Sequence, residues 1–161
     1  MRLGILVPLF LLSACGGGDG THPDASVSLD AASAADSGVA GCAIRCSSLD
    51  LAATHYDASS HLLALEIAAN APGARSGSLT VMLGLHPAGG NPSTTSKSAV
   101  LMVNGHSATI DLSPWITADL VTFGPMSVTL VGDCGMTSTF GLGVLTQGSG
   151  TQLSLTSFQC L

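Results

Sequence analysis

Two alternating runs meet at Asn104-Gly105, and no other stretch of the chain constrains its fold as strongly. Ser98-Ala99-Val100-Leu101-Met102-Val103 comes before the junction, and His106-Ser107-Ala108-Thr109-Ile110-Asp111-Leu112 follows it. Asn-Gly favours a type I′ turn, because both central residues of that turn take positive φ. A two-residue turn fixes the register: Val103 with His106, Leu101 with Ala108 and Ala99 with Ile110. That row is largely apolar. The opposite row, Met102 with Ser107, Val100 with Thr109 and Ser98 with Asp111, is more polar. A slip of one residue would turn every side chain to the wrong face, so turn chemistry and face polarity specify the same antiparallel hairpin.

The rest of the region from Gly41 to Leu161 follows the same period of two. Met126–Gly132 alternates Met126, Val128 and Leu130 with Ser127, Thr129 and Val131. Asp133-Cys134-Gly135 breaks it, and Thr137–Gln147 places Phe140, Leu142 and Val144 on one face. Gly148-Ser149-Gly150 then turns into Thr151–Cys160, with Leu153 and Leu155 alternating with hydroxyl residues. Gly77–Leu85 is a further strand, and Leu49, Leu51 and Ala53 suggest one before Tyr56. His61–Asn70 alternates Leu63, Leu65 and Ile67 as a strand would, although Ser60 is placed to cap a short helix. Its setting among strands favours strand. About eight short strands separated by turn clusters imply an all-β domain, a single antiparallel β-sandwich compatible with an immunoglobulin-like topology.

The first residues carry a different signal. Arg2 precedes an apolar run from Leu3 to Leu12, and Leu12-Ser13-Ala14-Cys15 ends it. A cationic start, a short apolar stretch and small residues before the cut are the parts of a secretory signal. The run also contains Pro8 and is far shorter than the roughly 18 apolar residues a membrane span needs. With its cysteine, the tetrad resembles the lipobox of bacterial lipoproteins. That resemblance implies residues 1–14 as a signal peptide and Cys15 as the lipidated mature N-terminus. It also implies a cell-envelope address, with Gly16 after the cysteine favouring the outer membrane over the inner. Two or more acyl chains give stable anchoring where one is marginal. Residues 15–40 then read as a tether: glycines, followed by Ala, Ser and Asp, with only Val27, Leu29 and Val39 as larger apolar side chains. Such a chain reaches about 25–30 Å. Asp19, Asp24, Asp30 and Asp36 meet no base within it, so like-charge repulsion should keep it extended.

Residues 41–161 carry six carboxylates against three bases, Arg45, Arg75 and Lys97, which leaves the domain at −3. Three scattered bases make no stripe that tracks phosphates, so nucleic acid is not an expected partner. The domain cysteines are Cys42, Cys46, Cys134 and Cys160. An even count in an exported chain reads as two disulfides. Sequence proximity and the expected last hairpin, which sets Cys160 beside Ser138, favour Cys42–Cys46 with Cys134–Cys160. The rival pairing staples one N-terminal cysteine to the C-terminal strand. Zinc is disfavoured because the spacing lacks paired Cys-x-x-Cys knuckles, and the same lack disfavours a redox site.

Few residues here suggest catalysis. Gly105-His106-Ser107 faintly resembles the nucleophile elbow of α/β-hydrolases, but Thr109 stands where that motif needs glycine and a strand follows where it needs a helix. His55, Asp57 and His61 form the one local cluster of metal-ligand residue types, with His86 and His106 distant in sequence. If Tyr56 pairs with His61 across a turn, His55 and His61 point to opposite faces, and solvated histidines are the favoured reading. Asp111 with Asp119, or Asp50 with Asp57, is better read as turn chemistry than as an acid–base pair. Sugar stacking would need exposed aromatics. The domain offers Tyr56, Trp115, Phe123, Phe140 and Phe158, most of which its core requires. The expectation is a non-enzymatic, lipid-anchored envelope protein without a cofactor. Its β domain would bind an envelope protein or glycan or serve a structural role. The alternatives are a metal-binding protein using His55, Asp57 and His61, and a carbohydrate- or peptidoglycan-binding module.

Overall fold

A computed structural model describes residues 41–161. Eight strands follow in chain order: β1 (His55–Asp57), β2 (Leu62–Glu66), β3 (Ala74–Leu85), β4 (Ser93–Asn104), β5 (Ser107–Asp111), β6 (Leu120–Gly132), β7 (Thr137–Gln147) and β8 (Ser154–Cys160). They form one hydrogen-bonded sheet in the order β1-β2-β5-β4-β3-β6-β7-β8, antiparallel at every pairing. The β3-β4-β5 meander lies at its centre. β2 lies beside β5 and β6 beside β3, so the meander is shared by two overlapping Greek keys. The sheet curls until its end strands, β1 and β8, touch.

Alternation explains the core. Leu79, Val81 and Leu83 of β3, and Met126, Val128 and Leu130 of β6, are buried, while the residues between them face outward. Leu63 and Leu65 of β2, Leu101 of β4, Leu142 of β7 and Leu153 and Leu155 near the C-terminus complete one continuous cluster. The ambiguous segment is a strand at Leu62–Glu66. Leu49, Leu51 and Ala53 do not form the expected strand. A 3₁₀ turn at Cys46–Ser48 leads to a single bridge from Leu49 to Ile67. Asp50 Oδ1 then accepts the N–H groups of Ala52 and Ala53, both at 3.1 Å. This local bond from an aspartate offers the backbone an alternative to a ladder, and here it prevails.

The central hairpin forms with the expected faces but one rung away from the expected register. Val103 pairs with Ala108, Met102 with Thr109 and Asn104 with Ser107, which leaves Gly105-His106 as the two-residue turn. Gly105 takes φ +62°, whereas Asn104 and His106 do not enter the positive-φ region. Glycine alone at the first central position matches a type II′ turn. Tertiary bonds select it: the Gly105 carbonyl accepts from Ala74 N–H at 2.8 Å and the His106 carbonyl from Ile67 N–H at 2.7 Å. In the last hairpin, a 3₁₀ turn at Gly150–Gln152 takes up residues expected in the strand. Cys160 therefore pairs with Leu142 and not with Ser138.

The disulfides correct the favoured connectivity. Cys42 is bonded to Cys134 and Cys46 to Cys160, with Cα separations of 6.1 and 5.7 Å. The cause lies between the two N-terminal cysteines. Ile44 is wholly buried, so residues 41–49 lie across the sheet as a strap instead of folding on themselves. The strap is close-fitting at its start: a Cβ on Gly132 would stand 2.9 Å from the Cys42 carbonyl oxygen. At its far end, Ser48 accepts from Ala68 N–H at 2.8 Å. It therefore runs from β8 and the β6–β7 turn to the end of β2.

Proteolysis without reductant should release peptides joining Cys42 to Cys134 and Cys46 to Cys160, and a linked Cys42–Cys46 peptide would refute the strap. Each bridge closes a loop of about a hundred residues, with sequence separations of 92 and 114. Converting Cys46 and Cys160 together to serine should therefore cost about 2–5 kcal/mol in urea unfolding.

Candidate functional site

Of the residues the sequence singles out, the β1–β2 turn gathers the most. Asp57 ends β1 and folds the turn around its carboxylate, accepting from Ser59 N–H at 2.8 Å and from the hydroxyls of Ser59 and Ser60, each at 2.7 Å. These bonds hold the Asp57 carboxyl well below the usual carboxylate range. His61 follows at φ +55°, a left-handed conformation that few non-glycine residues adopt. Its carbonyl accepts from Leu112 N–H at 2.9 Å, which joins the turn to the segment after β5. Its Nδ1 lies 2.7 Å from the Tyr56 hydroxyl, and the two rings face each other at a centroid distance of 6.2 Å. Burial, and then the charge of Asp57, push the Tyr56 phenol up, so it keeps its proton and is available to donate to that nitrogen.

This arrangement clamps a turn. Tyr56 pairs with Leu63 and not across the turn with His61. The His55 ring turns back to the Ala53 carbonyl, at 2.8 Å. Among the described residues, no three His, Cys, Asp or Glu side chains stand close enough to hold a metal ion, so His55, Asp57 and His61 are not brought together as a ligand set. His86 and His106 are both exposed, His86 after β3 and His106 in the central turn. A phenol pushed up is also the reverse of an activated nucleophile. Two surface hollows lie elsewhere: one is lined by the strap and Asn70–Pro72, the other by the ends of β3, β4 and β6.

The other candidates have structural partners. The Ser107 hydroxyl donates to Glu66 Oε1 at 2.9 Å, and no histidine bond activates it. Asp111 accepts from Ser113 N–H at 2.8 Å, hydrogen bonding from the Ser113 side chain and then from its backbone lowers the carboxyl, and Asp50 caps its own turn. The Asp119 backbone carbonyl accepts from His86 N–H at 2.7 Å. Phe123 is buried, and Tyr56, Trp115, Phe140 and Phe158 pack against the core. Trp115 closes a 3₁₀ turn at Ser113–Trp115. Cys15 lies outside the described residues.

One broad uncharged surface is announced by no motif. Across β4, β3, β6 and β7 the outward rungs read Ser98, Thr80, Ser127, Gly141 and then Val100, Ser78, Thr129, Thr139. Neither rung carries a charge. Thr80 bonds Ser98 at 2.8 Å and Thr129 bonds Thr139 at 2.9 Å, so neighbouring strands are tied through their hydroxyls. Val100 and Met102 project from the same face at 76% and 66% exposure. The signal for it was the alternation itself, whose outward half is mostly Ser and Thr.

Tyr56→Phe should cost about 1 kcal/mol in urea unfolding through the lost bond to His61. Asp57 and Asp111 are lowered in the folded chain, so their contribution to stability is present above the ordinary carboxylate pKa and is lost as pH falls. Urea midpoints from neutral to acid pH should drop in the parent and fall less steeply in Asp57→Asn. Equal slopes would dismiss the Asp57 network. Searches against protein-family models, curated proteins and solved structures find no match to this chain.

Proposed function

We propose that the chain is a lipid-anchored cell-envelope protein whose β domain is a non-enzymatic binding or structural module. The observation that carries the reading is the division of its cysteines. All four in the domain are paired with one another, as suits an oxidising compartment, and the fifth, Cys15, ends the lipobox-like tetrad Leu12-Ser13-Ala14-Cys15. A thiol kept out of the domain's bridges is free for acylation. The uncharged hydroxyl face of β3, β4, β6 and β7 supports binding over catalysis, because it offers broad contact and no group with activated chemistry.

The same reading takes the curled sheet as the two packed layers of a β-sandwich with immunoglobulin-like character. β4 belongs to both layers, since Ser93–Leu101 pair with β3 and Met102–Asn104 with β5. The strap closes the opposite side. The outer membrane is the favoured address, with an envelope protein or glycan as partner.

Cys15→Ala should move the chain from the membrane fraction to the soluble fraction and abolish incorporation of labelled fatty acid. Unchanged membrane retention would overturn the anchor.

A further inference from the structure

β4 changes partners along its length. Beyond the three rungs it shares with β5, the edge that β5 leaves at Met102 has no strand beside it among the described residues, from Val100 back to Ser93. The direction of its polar groups follows from the turn. In a two-residue hairpin the flanking residues, here Asn104 and Ser107, exchange hydrogen bonds, and on one strand such residues recur at every second position. The ladder between β4 and β3 runs without a bulge. Val100, Ser98, Ser96 and Thr94 therefore aim N–H and C=O at the open edge, and the odd-numbered residues spend theirs on β3. Native proteins blunt such edges with bulges, prolines or inward charges. Here Lys97, opposite the buried Val81, supplies one such inward charge, the sole charge on the strand, and neither a bulge nor a proline accompanies it.

We propose that this edge pairs antiparallel with the β4 edge of a second copy, about a two-fold axis at Ser98, joining the two sheets. Centring the pair on Lys97 would set two ammonium groups directly opposite each other, a destabilising arrangement. Centring it on Ser98 sets Lys97 opposite Ala99 and Ser96 opposite Val100. Ser96, Ser98 and Val100 then find partners on the second copy, and the exposed Val100 gains a neighbour on the outer face. Only Thr94 falls opposite Met102, whose groups β5 already takes. A second copy is the occupant because the segment complements itself in this register and, on the lipid-anchored reading, shares its membrane plane with identical chains. One strand pair buries far less than the roughly 1,200 Å² of a stable interface, so the contact is weak in dilute solution. Tethering raises the effective concentration and populates it.

The test uses the full chain carrying Ser98→Cys, expressed in cells, oxidised in the intact envelope and run without reductant, with membrane sedimentation measured in parallel. Ser127→Cys, exposed on the same face in β6, is the control. The expected result is a dimer for Ser98→Cys, with a cross-linked peptide containing position 98 from both copies, and several-fold less dimer for Ser127→Cys. Adding Ser96→Pro removes an edge-facing N–H without touching the ladder to β3, and should lower the yield several-fold. A membrane-bound chain with no dimer, or with equal dimer in the control, overturns the pairing and leaves the anchor standing. A soluble chain that still forms the dimer overturns the anchor and keeps the pairing, and a soluble chain without it overturns both.

Discussion

The burial of Ile44 is the contact on which the rest of the structure depends. A curled sheet of eight strands has two ends, and hydrogen bonds alone do not join them here. β1 has three residues, and its contact with β8 is brief. The strap that carries Ile44 joins the seam covalently on one side, through Cys42 to Cys134 and Cys46 to Cys160, and by backbone bonds to β2 on the other. Had Ile44 been polar, the strap would lose its reason to cross the sheet, and the two N-terminal cysteines would be free to find each other. One apolar side chain thus sets the connectivity of four sulfurs.

Much of this fold is legible in the sequence, because its strands alternate cleanly. Leu79, Val81, Leu83 and Met126, Val128, Leu130 face inward as their period of two requires, and the segment around Leu63 is a strand despite a capping residue before it. The Asp50 turn that replaces a strand is local, but the misreadings of the central turn and of the disulfides have tertiary causes. Asn104-Gly105 is a strong local signal for one turn, yet the N–H groups of Ala74 and Ile67 reach the carbonyls of Gly105 and His106 and favour its neighbour. The hydrophobic faces survive, since moving the turn by one position along both strands preserves their parity. The disulfides were misread because proximity in sequence says nothing about a buried residue lying between two cysteines.

The candidate site was less legible than the fold. The sequence drew attention to His55, Asp57 and His61 by residue type, and the structure divides them among a backbone contact, a hydroxyl-lined turn and a tyrosine clamp. Histidine chemistry depends on what the ring meets, which spacing does not encode. The hydroxyl face came into view only when four strands were set side by side, since no single strand holds more than a few of its residues. Its apolar members, Val100 and Met102, look like ordinary strand residues in isolation.

The disulfide between Cys42 and Cys134 also has a mechanical meaning. Tension applied through the N-terminal side enters the described residues at Gly41 and reaches this bridge at the next residue. The bridge passes the load to the turn between β6 and β7, within the covalently closed part of the sheet. A pull therefore cannot begin by peeling residues 43–57 away one hydrogen bond at a time. The domain is held as a weight is held by a bolt set into its frame, and its weakest edge strand, β1, lies outside the line of force.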